Sequence, residues 1–343
     1  MTKNVHTLDV QVLDEYLKSE IDDFKGILES KKFNTGQSNP TYLLNSGEKK
    51  YVLRKKPPGK LLPSAHAVDR EYRVMKALSN SSVPVPKMLH LCEDDSIIGT
   101  IFYLMEFVEG RIFWDPTLPE VNKEQRREIY EQTNRTLAAL HQIDIKKLNL
   151  ENFGKPGNYF ERQVNRWIQQ YRAAETSPYK EVESLIVWLG KNMPKDDGMV
   201  SIVHGDYRLY NMIFDPKETQ ILAVLDWELS TLGHPYADLA YQCMSWYVPK
   251  IGITPGLLDA DTIMLGIPSE EEYVKSYCQK MGISSIPNWS FYLAFGFFRL
   301  AGIAQGVYKR SLQGNASADN AKDIGAIVPI LGKIAMSIIH KNN

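Results

Sequence analysis

The sequence predicts an α+β chain in two lobes, a small β-rich one followed by a larger helical one. Three observations carry this. Short apolar runs separated by turn chemistry crowd the first third of the chain. Segments with helical apolar periodicity dominate after Glu109-Gly110. The length of 343 residues is about two domains, at roughly 100–200 residues each. The expected division is 1–109 and 110–343, with a cleft at the joint.

The elements follow in order. Residues 9–20 place Val12, Leu13, Tyr16 and Leu17 on one helical face. Three β-leaning runs, 26–33, 41–44 and 50–54, are punctuated by NTGQSNP and NSGE. A basic, proline-rich loop, KKPPGKLLP, covers 55–63, and residues 64–78 read as a helix with Val68, Tyr72 and Met75 on one face. Strands are expected at 88–92 and 97–108. Asn122 and Gln125 have the spacing of a capping box opening a helix that runs to 141. Further helices fit 159–171, 181–191, 235–246, 270–279, 289–310 and 321–340, interrupted by strand-like runs at 199–203 and 221–225.

Composition narrows the function classes. A hydrophobic fraction of 43% with 24% charged residues is globular, not disordered, collagenous or coiled-coil. Forty basic against forty-one acidic residues argue against a dominant nucleic-acid or anionic-membrane surface. Cys92, Cys243 and Cys278 are far apart with no CxxC pair, so neither a disulfide scaffold nor a zinc ribbon is supported. The polar start MTKNVHTLDVQVLDEYL has no apolar leader, and the apolar window 291–307 is short and contains Arg299. The expectation is a soluble, cytoplasmic protein with no membrane partner.

The densest chemistry lies in SIVHGDYRLYNMIFD, residues 201–215, and ILAVLDWE, residues 221–228. An apolar strand runs into His204-Gly205-Asp206, and Asn211 follows five residues after Asp206. Asp226 stands at the end of the second strand. The Asn211 amide and the Asp226 carboxylate are hard oxygen donors of the kind that hold Mg²⁺ bridged to substrate phosphates. Asp206 is then left to orient and deprotonate an acceptor hydroxyl. Upstream, Glu71 lies three residues after Val68 and four before Met75, on the apolar face of its helix. A carboxylate there calls for a cationic partner, and strand-borne Arg54 is the natural one.

HGDYRLYN followed by VLDWE resembles the HxDxxxxN and (I/L)DxE motifs of the aminoglycoside phosphotransferase and choline kinase group, relatives of protein kinases. VLRKKPPGKLLPSAHAVDREYRV, AVLDWELSTLGHPYADLAY and AGIAQGVYKR look like the branch found fused to, or beside, acyl-CoA dehydrogenases. The resemblance spans roughly residues 25–315 and implies a bilobal protein-kinase-like fold. It matches Asp206 to the catalytic base, and Asn211 and Asp226 to Mg²⁺ ligands. Arg208 falls where protein kinases keep a lysine facing the γ-phosphate, and could neutralise transition-state charge. Arg54 and Glu71 resemble the Lys–Glu pair that grips ATP phosphates, with a fork donor replacing a point charge.

Further assignments complete the set. Gly36, Gln37, Ser38 and Asn39 could offer a loop to phosphates. The Glu106 carbonyl and the Val108 N–H resemble the adenine-binding hinge. His204 and Asp238 are expected to brace the catalytic segment, and Trp227 to line the acceptor pocket. The implied function is an ATP- and Mg²⁺-dependent kinase of a small-molecule hydroxyl, such as a hydroxyacyl-CoA or hydroxy acid, with a functional link to an acyl-CoA dehydrogenase. The alternatives are a kinase of an amino alcohol, sugar or aminoglycoside, and a nucleotide-binding pseudokinase acting through a partner. A metal hydrolase built on His204 and Asp206 would want more His and carboxylate ligands nearby.

Overall fold

The computed structural model describes residues 8–22, 24–33, 39–57, 66–250, 256–313 and 321–341. Helix α1 (Val10–Glu20) starts where the Asp9 carboxylate accepts from the Val12 N–H, and it buries Leu13 and Leu17. Strands β1 (Leu28–Lys32), β2 (Thr41–Ser46) and β3 (Lys49–Lys55) form an antiparallel meander. Helix α2 (Val68–Leu78) buries Val68, Glu71, Val74, Met75 and Leu78. Strands β4 (Met88–Cys92) and β5 (Phe102–Glu106) complete a five-stranded sheet in the order β1-β2-β3-β5-β4. Leu13, Leu17, Phe24, Leu44, Leu53, Phe102 and Leu104 form its core.

Helix α3 (Lys123–His141) opens with the anticipated capping box, both of its hydrogen bonds formed. It is followed by α4 (Tyr159–Ala174), α5 (Lys180–Lys191), β6 (Ser201–Val203), β7 (Met212–Phe214), β8 (Ile221–Val224) and β9 (Thr231–Gly233). Then come α6 (Tyr236–Cys243), α7 (Thr262–Leu265), α8 (Glu270–Met281), α9 (Trp289–Leu312) and α10 (Ala321–Lys341). Strand β9 and helix α7 were not anticipated, because three or four residues carry too little periodicity to read. The strand expected over 97–108 is confined to β5, since residues 95–100 form turns and a bend.

The chain forms two compact units. The first runs to Arg111 and also takes Lys146–Leu150 and Asn211–Ser230. The second holds Ile112–Ile145, Glu151–Tyr210 and the chain from Thr231 onward. Sequence order had put 211–230 with the helices, yet the β7–β8 hairpin joins the sheet unit. Arg111 and Phe214 exchange main-chain hydrogen bonds at 2.8 and 2.9 Å, and the Val224 N–H donates to the Pro84 carbonyl at 2.9 Å. The approach is so close that a Cβ on Gly110 would lie 2.2 Å from the Phe214 oxygen.

In the second unit, α9 packs against α4, α5, α6 and α10. Phe160 meets Phe291, Tyr292 and Phe295 of α9 with ring centroids 4.9–5.6 Å apart. Helices α9 and α10 each contain a stretch long and apolar enough to cross a membrane, contrary to the expectation from Arg299. In α9, however, 72% of that stretch is buried within the fold, so its apolar character is accounted for by core packing.

Candidate active site

In the first unit, one guanidinium gathers three carboxylates. Arg54 lies on β3, paired across the sheet with Thr41 and Tyr103. Its Nε stands 3.2 Å from Glu71 Oε2, an ion pair without hydrogen-bond alignment. Its Nη2 donates to Asp226 Oδ1 at 2.8 Å and to Glu228 Oε2 at 3.1 Å. Glu71 is only 1% exposed; Asn39 Nδ2 donates to its Oε1 at 2.9 Å and the Tyr103 hydroxyl to its Oε2 at 3.1 Å.

The charges in this cluster are unbalanced. Burial alone would lower the Arg54 pKa, but Glu71, Tyr103, Asp226 and Glu228 together raise it well above its usual value. Burial pushes the Glu71 carboxyl up to about 7; Arg54 opposes this, and Asp226 and Glu228 reinforce it. The asymmetry has a simple cause: among the described residues Arg54 has three acidic neighbours, whereas Glu71 shares Arg54 with two competitors. The cluster thus carries more carboxylate than guanidinium and is electrostatically suited to a further cation.

Asp226 follows β8 at φ 66°, ψ 57°, a left-handed conformation rare for a residue with a side chain. The next residue begins a 3-10 turn, Trp227–Leu229. Asn211 closes another such turn, Leu209–Asn211, and its carbonyl accepts from the Leu225 N–H at 2.8 Å. The backbone of Asn211 is thereby joined to the residue before Asp226. An amide and a carboxylate so placed are hard oxygen donors.

In the second unit, β6 delivers the loop bearing Asp206. Asp238, fully buried in the first turn of α6, accepts from the His204 N–H at 2.6 Å and the Gly205 N–H at 2.8 Å. Gly205 has φ 86°, which glycine adopts without strain. The Asp206 N–H donates to His204 Nδ1 at 3.1 Å, placing the proton of a neutral ring on Nε2. Arg208 Nε donates to Asp206 Oδ1 at 2.8 Å, while the guanidinium lies over the Tyr210 and Tyr241 rings at 5.3 and 4.4 Å. Beside it opens a cavity lined by Trp114, Arg208, Tyr210, Tyr241, Met244 and Val248, among others. Among the described residues, none that lines it is acidic.

The remaining assignments fare unevenly. Gly36, Gln37 and Ser38 lie outside the described residues. Asn39 is buried and committed to Glu71, and its Oδ1 pairs with His66 Nδ1 at 2.9 Å. At Glu106, the Lys87 N–H donates to the side-chain Oε1 at 2.8 Å, whereas the Glu106 N–H donates to the Lys87 carbonyl at 3.0 Å. Val108 follows the end of β5, half-buried. Trp227 does not line the cavity: it is 1% exposed, with its Nε1 donating to the Val224 carbonyl at 2.9 Å. Tyr103, Tyr241 and Arg299 were not singled out as functional. For Arg299, the available signal was a lone charge inside an apolar helix.

Comparison with known proteins gives this geometry a family. Residues 29–261 match the model of the phosphotransferase enzyme family. The chain is 50% identical over 331 residues to acyl-CoA dehydrogenase family member 10 of Mus musculus, covering 96% of this chain and 31% of that protein. It is 44% identical over 340 residues to acyl-CoA dehydrogenase family member 11 of Homo sapiens, covering 97% of this chain and 43% of that protein. The chain therefore spans less than half the length of these relatives. A crystal structure from Ralstonia eutropha, assigned provisionally as an aminoglycoside phosphotransferase, superposes with TM-score 0.89 at 45% identity. It covers 98% of this chain and 99% of that one. An aminoglycoside phosphotransferase, APH(4)-Ia, solved with AMP-PNP and hygromycin B, shares the fold at TM-score 0.60 and 13% identity, covering 96% and 97% of the two chains. The chain belongs to the phosphotransferase enzyme family and has its kinase-like fold.

Proposed function

We propose that this protein is an ATP- and Mg²⁺-dependent kinase whose acceptor is an acyl-type hydroxy compound, a hydroxyacyl-CoA or a free hydroxy acid. The observation that carries the acceptor class is the cavity beside Arg208, aromatic and apolar, with no acidic residue among the described residues that line it. An amine-rich acceptor would need carboxylates there to replace lost hydration. Arg208, by contrast, suits a neutral or anionic molecule. The names of the longer relatives, acyl-CoA dehydrogenases, point the same way.

The roles follow from the side chains. Arg54, held by Glu71, would bind phosphate oxygens of the nucleotide. Asn211 and Asp226 would hold Mg²⁺, and the excess of carboxylate around Arg54 fits such a cation. Bound there, Mg²⁺ would neutralise phosphate charge. Asp206 would orient the acceptor hydroxyl and take its proton, and Arg208 would offset charge on the transferring group. ATP consumption and product mass on a panel of hydroxyacyl-CoAs, free hydroxy acids, amino alcohols and sugars test this. The expected product is a phosphorylated hydroxyacyl compound; phosphorylation confined to amino alcohols or sugars would overturn the acceptor class.

A further inference from the structure

An alternating stack of rings and guanidinium groups runs beside the Asp206 loop, entirely within the second unit. Trp114 stacks on Tyr210 at 5.7 Å and 13°. The Arg208 guanidinium lies over both the Tyr210 and Tyr241 rings, at 5.3 and 4.4 Å from their centroids. Arg299 covers the Tyr241 ring at 5.2 Å and the Trp167 ring at 5.8 Å. Tyr241 thus contacts two guanidinium groups.

Each of those guanidinium groups also holds the loop. Arg208 Nε donates to the Asp206 carboxylate. Arg299 Nη2 donates to the Gly205 carbonyl at 2.6 Å, while the N–H of the same residue is taken by Asp238. Arg299 is 9% exposed, 94 residues downstream of Gly205 in an apolar helix. Burying a guanidinium there is costly, and its partners here are a carbonyl and two ring faces. Core stability alone would be served as well by a methionine. What a methionine could not do is fix the Gly205 peptide. The Tyr241 ring, the nearer of the two beside the Arg208 guanidinium, limits where Arg208 Nε can point.

We propose that Tyr241 and Arg299 are positioning residues for phosphoryl transfer. Tyr241 orients Arg208 against Asp206, and Arg299 steadies both Tyr241 and the Gly205 peptide. The effect on turnover rests on the kinase reading above; the orienting of Arg208 does not.

The test follows the Arg208 Nε–H signal in protein labelled with ¹⁵N-arginine, assigned through Arg208→Lys. Nucleotide affinity, kcat and acceptor KM are measured beside it. The signal is expected to be protected from exchange in the wild type and in Tyr241→Phe, which keeps the ring. It is expected to lose protection in Tyr241→Leu and Arg299→Met, with kcat falling about 10–100-fold and nucleotide affinity unchanged. If Tyr241→Leu does not fold, Arg299→Met carries the test. Retained protection in the folded variant, or an equal loss in Tyr241→Phe, would overturn the proposal. A wild type that transfers phosphate to no acceptor would sink the kinase reading alone, because the exchange signal is read without turnover.

Discussion

Breaking the Arg54–Glu71 pair should have unequal effects from its two sides. Removing one partner of a buried pair costs about 3–5 kcal/mol when the other is left charged and unpaired. Arg54→Met strands three carboxylates, but Asp226 and Glu228 are 33% and 21% exposed at their side chains, so water screens them. Glu71 can take up a proton at little cost, since burial already holds its carboxyl up to about 7. The expected loss is therefore near the lower end, about 3 kcal/mol. Glu71→Gln leaves Arg54 with two carboxylates and is nearly isosteric, so it should cost about 1 kcal/mol. The double mutant should lose less than the sum by about 1–3 kcal/mol, because the two residues share one network. Urea unfolding at pH 7 without metal measures all four corners of the cycle. Additivity to within about 0.5 kcal/mol, or a Glu71→Gln loss larger than that of Arg54→Met, would refute the reasoning.

Three other outcomes follow. Because the folded Glu71 carboxyl titrates near 7, above its ordinary 4.5, its contribution to stability is complete below the ordinary value and is lost as pH rises through about 7. Glu71→Gln should remove that slope, at most about 1.4 kcal/mol per pH unit; an unchanged pH profile would contradict it. ATP or ADP at 100 times its Kd should stabilise the fold by about 2.7 kcal/mol with Mg²⁺ and much less in EDTA, and equal thermal shifts would remove the metal assignment. Gly110→Ala should cost about 1–3 kcal/mol, because the added Cβ meets main-chain oxygen that cannot turn away; an unchanged melting temperature would show that the crossing yields.

The sequence made some of this legible for physical reasons. Helix α3 was readable because its cap and periodicity are local, and Asp206, Asn211 and Asp226 because their spacing is fixed along one short stretch. Glu71 could be read from a single anomaly, a carboxylate on an apolar helix face. What escaped depends on contacts between distant segments. Asn39 sits in a turn-rich segment, but its amide is buried against Glu71, 32 residues away. Arg299 looked like an interruption in an apolar helix because its partner, Gly205, lies 94 residues upstream. The β7–β8 hairpin joined the sheet unit through main-chain bonds at Arg111 and Pro84, which side-chain patterns do not encode.

Transfer of the γ-phosphate of labelled ATP to the acceptor, in wild type, Asp206→Asn and Asp226→Asn with nucleotide affinity measured in parallel, tests the central claim most directly. Asp206→Asn should bind Mg²⁺–nucleotide like the wild type and lose about 10²–10⁴-fold in turnover, the worth of a general base. Asp226→Asn should lose nucleotide affinity as well, since a ligand charge is gone. Near wild-type transfer by Asp206→Asn would contradict the assignment of the base, and a loss of nucleotide affinity as severe as that of Asp226→Asn would move Asp206 to the metal site.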